Sequence, residues 1–284
     1  MRPNQDFINL PKNFWANVRT ISEAGGYTER STKQVKVYSL AEMKAALHKV
    51  ELGTHHIEHN SQITELGEML RAYFEYRAHA LNTYVEPQLM DAEEAERFFF
   101  ELKSKLDPQC PLPLNKQKGQ KRAYAYLTGM VNMLIEAHSE GLPCDYDPRN
   151  LTTITRGGEP LRTLARRVDG CFTSYINPIA IWEIKEYYYT TTFGSRIADG
   201  IYETLLDGLE LEELREREGM NILHYLMVDA HYTWWVGGRS YLCRIVDMLH
   251  MGYVDEVLFG REVIKRVPEL VSEWVSIFKS GKAR

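Results

Sequence analysis

The sequence predicts a mixed α/β (α+β) protein, with a central mixed sheet flanked by helices and a mainly helical amino-terminal region. Three observations carry that expectation. Apolar residues recur at helical spacing through roughly the first hundred positions, whereas residues 151–186 read as three strand-like runs separated by turn residues. Ile222–Val228 is then nearly continuous in apolar side chains, as a strand buried on both faces would be.

Taken in order, the chain first offers Phe14, Trp15, Val18 and Ile21 as one face of a helix after Pro11, closed by Gly25-Gly26. Gln34–Tyr38 alternates as a short strand. Ser39 and Glu42 then have the spacing of a capping box opening a helix through Leu47. His55 and His59 stand four apart, which would put both on one helical face; HHIEH lacks the order of an H-E-x-x-H zinc motif, so the cluster reads as a solvated face. Ile63–Tyr84 is strongly helical, and a second helix runs from an Asp91 N-cap to Leu106 with Phe98, Phe99 and Phe100 as core.

Pro108, Pro111 and Pro113 rule out a regular helix, and Lys116, Lys118, Lys121 and Arg122 form the densest basic cluster of the chain. The expected boundary falls here, separating residues 1–112, a region for recognition or dimerisation, from 113–284. The basic cluster suits either a solvated linker or a contact to a phosphate backbone. The helix Lys121–Ser139 buries Leu127, Met130, Val131 and Leu134, leaving Glu136 on another face. Strands follow at Leu151–Thr155, at Leu161–Phe172 after a Gly157-Gly158 turn, and at Ile179–Glu186. Next come a helix at Ser195–Leu206 and an acidic stretch, LELEELRERE, that reads as a solvated helical face or loop. The apolar strand ends in Asp229 and His231. A helix with Leu242, Ile245, Val246 and Leu249, a strand at Val254–Phe259 and a helix at Glu262–Phe278 complete the chain.

Composition excludes several classes. With 284 residues, 44% hydrophobic and 26% charged, the chain can build one large core or two modest ones. No apolar run has the length of a membrane span, and MRPNQDFINLPKNFW lacks the apolar core of a secretory signal, so cytoplasmic residence is expected. Four cysteines with no C-x-x-C pair indicate neither a zinc site nor a disulfide framework. A net charge of −5 argues against a general basic coat, while leaving room for a local basic groove beside an acidic metal site.

The positions that point to chemistry lie between Arg166 and Arg196. Glu183 and Lys185 continue the apolar run Ile179-Ala180-Ile181-Trp182, and period-two alternation puts Ile181, Glu183 and Lys185 on one strand face. Charges in such a strand need partners, and a metal ion or a metal-held phosphate would suit them. Asp169 precedes this pair by thirteen intervening residues and is followed by the tripeptide Glu183-Ile184-Lys185.

An acidic residue on one strand and acidic-x-Lys on the next, in a helix, three strands, helix, strand order, resembles the PD-(D/E)XK nuclease superfamily and, within it, type II restriction endonucleases. The resemblance covers roughly residues 120–235, and Val168 stands where the family often has proline. It implies a restriction-endonuclease-like core in which Asp169, Glu183 and the Ile184 carbonyl hold Mg²⁺. Lys185 would orient or help deprotonate the attacking water, and Glu136, with Glu140 as competitor, would be the additional first-helix acid. It further implies cleavage of double-stranded DNA to a 5′-phosphate and a 3′-hydroxyl, by a homodimer if the target is palindromic. Lys118, Lys121, Arg122, Arg167, Ser195 and Arg196 are the candidate DNA contacts, Ser195 and Arg196 at a helix start where free N–H groups favour phosphate. Arg166 and Arg167 alternate faces, so at most one points toward the site.

Overall fold

The computed structural model describes residues 1–115, 123–189 and 195–281. The amino-terminal helices are α1 (Lys12–Gly25), α2 (Leu40–Lys49), α3 (Glu65–His79) and α4 (Ala92–Leu106). The short strands β1 (Glu58–His59) and β2 (Gln62–Ile63) form a hairpin between α2 and α3. The starts are set by side chains that accept otherwise unpaired N–H groups. Ser39 and Glu42 form the expected capping box on α2, and Asp91 accepts from the Glu94 N–H at 2.8 Å on α4. His55 and His56 lie in a turn and His59 in β1, so the helical face expected for them does not form; Thr64 caps α3 only after the hairpin. Gln34–Tyr38 contributes a single bridge, Thr28 to Val35, rather than a strand.

The remaining elements are α5 (Tyr126–His138), β3 (Cys144–Asp145), β4 (Thr153–Arg156), β5 (Glu159–Thr163), β6 (Gly170–Phe172), β7 (Ala180–Lys185), α6 (Ser195–Glu218), β8 (Leu223–Val228), α7 (Arg239–His250), β9 (Glu256–Phe259) and α8 (Glu262–Ser280). Five strands make the central mixed sheet in the order β3-β6-β7-β8-β9. The first two pairings are antiparallel, and β7-β8 and β8-β9 are parallel. α6 makes the crossover between β7 and β8, as a parallel pair requires.

The expected meander is corrected in its membership. Its first strand is β3, which sequence periodicity did not reveal in only two residues, while β4 and β5 form a separate hairpin off the sheet. Pro160 lacks an N–H and four of the five β5 residues are exposed, so this pair suits an edge rather than a core. Arg162 on β5 ties the hairpin to Glu210 and Glu213 of α6. The acidic stretch is thus the second half of α6, one helix through Glu218.

β7 decides how the two layers pack. Ala180 and Trp182 face a core built with α5 and α8, where Trp182 stacks on Trp274 at 5.6 Å between centroids. Ile181 faces the other way, against Leu211 and Leu214 of α6. Above β8 and β9, residues of α7 share a core with Ala78, Leu81 and Val85, which joins the amino-terminal region to the same sheet. α4 packs against α5, with Phe99 in the Trp182 core. No helix among the described residues is long and apolar enough to cross a membrane.

Candidate active site

β6 and β7 run antiparallel with Gly170 opposite Trp182, so Asp169, just ahead of β6, lies beside Glu183. The Asp169 N–H donates to the Trp182 carbonyl at 3.2 Å and approaches Glu183 Oε1 at 3.3 Å. In return, the Ile184 N–H donates to Asp169 Oδ2 at 2.8 Å. Glu183 is fully buried on the α6 side of the sheet, and Lys185, two residues along the same face, is 7% exposed. The strand therefore carries both charges inward, as its alternation requires.

Their partners come from two other elements. Lys185 Nζ donates to Glu183 Oε2 at 2.7 Å and to Glu203 Oε2 on α6 at 2.9 Å. The Arg166 guanidinium forks onto Glu183, with Nη1 to Oε1 at 2.7 Å and Nη2 to Oε2 at 3.1 Å. Nη1 also donates to Asp207 Oδ2 at 2.6 Å. Gly200, one turn before Glu203, leaves room for the Lys185 stem: a Cβ there would come within 3.1 Å of Lys185 Cδ.

Four carboxylates and two cations thus share a small volume, and their proton affinities follow from burial and neighbours. Burial alone would raise Glu183, but Lys185 and Arg166 outweigh it and hold the carboxylate below its usual range. Burial would discharge Lys185, yet Glu183 and Asp169 hold it protonated well above the ordinary lysine value. Low-dielectric surroundings and then the Glu183 charge push Asp169 up to about 6, with Lys185 pulling the other way. Asp169 remains exposed at the rim, so solvent moderates that rise. Asp207 is completely buried and pushed up to about 7 by that burial, against the pull of Arg166; its Oδ1 has no hydrogen-bond partner among the described residues.

The sequence-predicted residues divide accordingly. Asp169, Glu183, Ile184 and Lys185 come together. Of the arginine pair, Arg166 enters the cluster and Arg167 is exposed outside it. Glu136 is not brought there: α5 packs on the opposite sheet face, and its carboxylate accepts from the Gln109 N–H at 2.9 Å. Glu140 pairs with Lys279 at the surface. Lys118, Lys121 and Arg122 lie outside the described residues, as do the side chains of Ser195 and Arg196, although α6 does begin at Ser195. The acids that the sequence reading missed are Glu203 and Asp207. Their four-residue spacing, which places both on one helix face, was the available signal.

The donor chemistry suits a hard divalent cation. One carboxylate just ahead of β6, a second on β7 and a neighbouring backbone carbonyl are oxygen ligands of the kind Mg²⁺ takes, and Mg²⁺ keeps waters or substrate phosphates in its other positions. Among the described residues no group of three or more His, Cys, Asp or Glu is arranged to hold a metal by itself. Any cation would therefore depend on the Asp169–Glu183 pair, and Arg166 and Lys185 already give Glu183 two cationic partners.

A family model described as a domain of unknown function (DUF7687) matches residues 90–274. The chain belongs to that family. A second model, also a domain of unknown function (DUF7690), matches residues 1–84, so the two meet ahead of α4. The DUF7687 segment contains the whole central sheet, the Asp169–Glu183–Lys185 cluster and the α6 acids. Neither a curated protein nor a solved structure matches the chain.

Proposed function

We propose that this DUF7687 chain is a Mg²⁺-dependent endodeoxyribonuclease of the PD-(D/E)XK type, hydrolysing phosphodiester bonds of double-stranded DNA. A cytoplasmic, sequence-specific type II restriction enzyme acting as a homodimer is the specific form of that reading. One observation carries it: with the β4–β5 hairpin inserted between β3 and β6, the sheet-forming elements α5, β3, β6, β7, α6 and β8 come in the order helix, three strands, helix, strand, with Asp169 beside Glu183 and Lys185 on the same face as Glu183.

Asp169, Glu183 and the Ile184 carbonyl would hold Mg²⁺, which when bound supplies positive charge for the phosphate and acidifies a coordinated water. Lys185 is held protonated between Glu183 and Glu203, so its role is to donate: it orients the attacking water and stabilises charge developing on the phosphate. Arg166 also donates to Asp207, so it would keep that partner if Glu183 served a cation. Hydrolysis adds water across the P–O3′ bond, leaving a 5′-phosphate and a 3′-hydroxyl.

Incubating the purified protein with plasmid and phage DNA, with and without Mg²⁺, tests the reading. Discrete fragments that require Mg²⁺ are expected for sequence-specific cleavage. Smears or branch-dependent nicks would replace the restriction reading with a structure-selective nuclease, and intact DNA under every condition would remove the nuclease reading altogether.

A further inference from the structure

Away from the candidate active site, α1, α2, α6 and α7 line an open cavity of about 790 Å³, within the size range of small-molecule pockets. Its walls are mostly apolar, formed by Ala24, Val50, Leu52, Ile201, Leu205 and Met248. The charges around it are unevenly matched. Asp247 is already satisfied from beneath by the buried Arg77, whose Nη1 lies 3.0 Å from each carboxylate oxygen, and by the Tyr73 hydroxyl at 2.6 Å. That leaves Arg19, Lys49 and Arg244 around the cavity with Glu23 as the remaining acid.

Among the described residues, two of these cations have only neutral protein partners: Arg19 Nη2 meets the Met251 sulfur at 3.3 Å, and Lys49 Nζ donates to the Ala24 carbonyl at 2.8 Å. Arg244 lies over the rings of Tyr27 and Tyr241, at 5.3 and 5.4 Å from their centroids, so its guanidinium plane is preset by aromatic neighbours. Its polar contacts are long: Tyr27 Oη at 3.3 Å, Tyr202 Oη at 3.4 Å and the exposed Glu23 at 3.3 Å. A concave apolar site with a preset guanidinium and surplus positive charge is complementary to one chemistry, a flat apolar body bearing an anionic group.

We infer that this cavity binds a small, flat, apolar anion, its body against the α6 and α7 side chains and its negative group on Arg244. This site is separate from the nuclease reading and stands or falls without it.

The probe is 8-anilinonaphthalene-1-sulfonate, an apolar monoanion built on a flat naphthalene, with its uncharged parent N-phenyl-1-naphthylamine as comparison, both followed by fluorescence titration of the full chain. Expected are one saturable site per chain for the sulfonate and binding at least tenfold weaker for the uncharged parent. Arg244→Gln should weaken the sulfonate about tenfold without weakening the parent, and Leu205→Trp should abolish both by filling the cavity. Far-UV circular dichroism and the thermal midpoint check that each variant folds. Should Leu205→Trp not fold, Arg244→Gln decides alone. Non-saturable binding, equal affinity for the two probes, or sulfonate affinity unchanged in Arg244→Gln would overturn the inference.

Discussion

At the level of single residues, the end of β7 shows how burial sets chemistry. Glu186 and Asp229 sit beyond the ends of the adjacent parallel strands β7 and β8. The Glu186 carboxylate accepts from the Thr128 N–H at 3.0 Å, and Asp229 accepts from Trp234 Nε1 at 3.0 Å and from the Tyr187 N–H. Burial first, and the Glu186 charge second, push Asp229 up to about 8, while burial also raises Glu186. A carboxyl raised in the folded state keeps a proton that the unfolded chain has lost, so the stability it contributes is full at low pH and declines as pH rises. The window runs from an ordinary carboxylate value of about 4 to the folded value of about 8. Denaturation midpoints should therefore fall between pH 5 and pH 8, and Asp229→Asn should flatten the fall by on the order of a few kcal/mol. An unchanged slope in that variant would mean that Asp229 is ionised throughout.

At the level of elements, the close pairing of β6 with β7 depends on a missing side chain. A Cβ at Gly170 would sit 2.2 Å from ring atoms of Trp182, which is itself 1% exposed and stacked on Trp274. Gly170→Val should force that ring to move and cost about 1–3 kcal/mol, read by urea denaturation, with some loss of any activity that needs Asp169 next door. A variant as stable as the wild type would show that the strand pair has slack.

How far these elements were legible follows from what sets each one. The helices α2 and α4 were readable because their caps are local, Ser39 with Glu42 and Asp91 with Glu94. β7 and β8 were readable because an apolar run of six or so residues announces itself. β3 was not, because two residues carry no period and its pairing with Cys171 and Phe172 is a tertiary fact. For the candidate site, Asp169, Glu183 and Lys185 were found through strand alternation and spacing. The Glu136 assignment rested on helix phase alone, and phase says which residues share a face without saying which sheet face the helix covers. Glu203 lay inside the helix expected at Ser195–Leu206 and Asp207 just beyond it, and neither could be matched to β7 because the packing of α6 on that sheet face is a tertiary fact.

At the level of the whole molecule, one buried ion pair ties the amino-terminal helices to the sheet-bearing part. Arg77 of α3 is completely buried, shares its Nη1 between both carboxylate oxygens of Asp247 on α7 and donates from Nη2 to Ser22 Oγ of α1 at 3.0 Å. Replacing it leaves the Asp247 carboxylate buried with Tyr73 as its remaining partner, so Arg77→Ala should cost about 3–5 kcal/mol in denaturant unfolding. A cost under about 1 kcal/mol would show that water reaches the gap and that the two parts are less tightly joined than the pair implies.

The proposed chemistry also belongs to the whole molecule, since Asp169, Glu183, Lys185, Arg166 and the α6 acids come from separate segments that only the folded chain unites. Its most direct measurement is the Mg²⁺-dependent cleavage rate of plasmid and phage DNA by the wild-type chain and by Asp169→Ala, with folding of both checked by circular dichroism. The wild type should cut. Asp169→Ala, which removes the exposed carboxylate while leaving the Arg166–Glu183–Lys185 pairing in place, should be slower by a hundredfold or more, on the order of what losing one electrostatic contact at a reacting centre costs. A folded Asp169→Ala chain that cuts at the wild-type rate, or a wild-type chain that leaves DNA intact, would contradict the assignment.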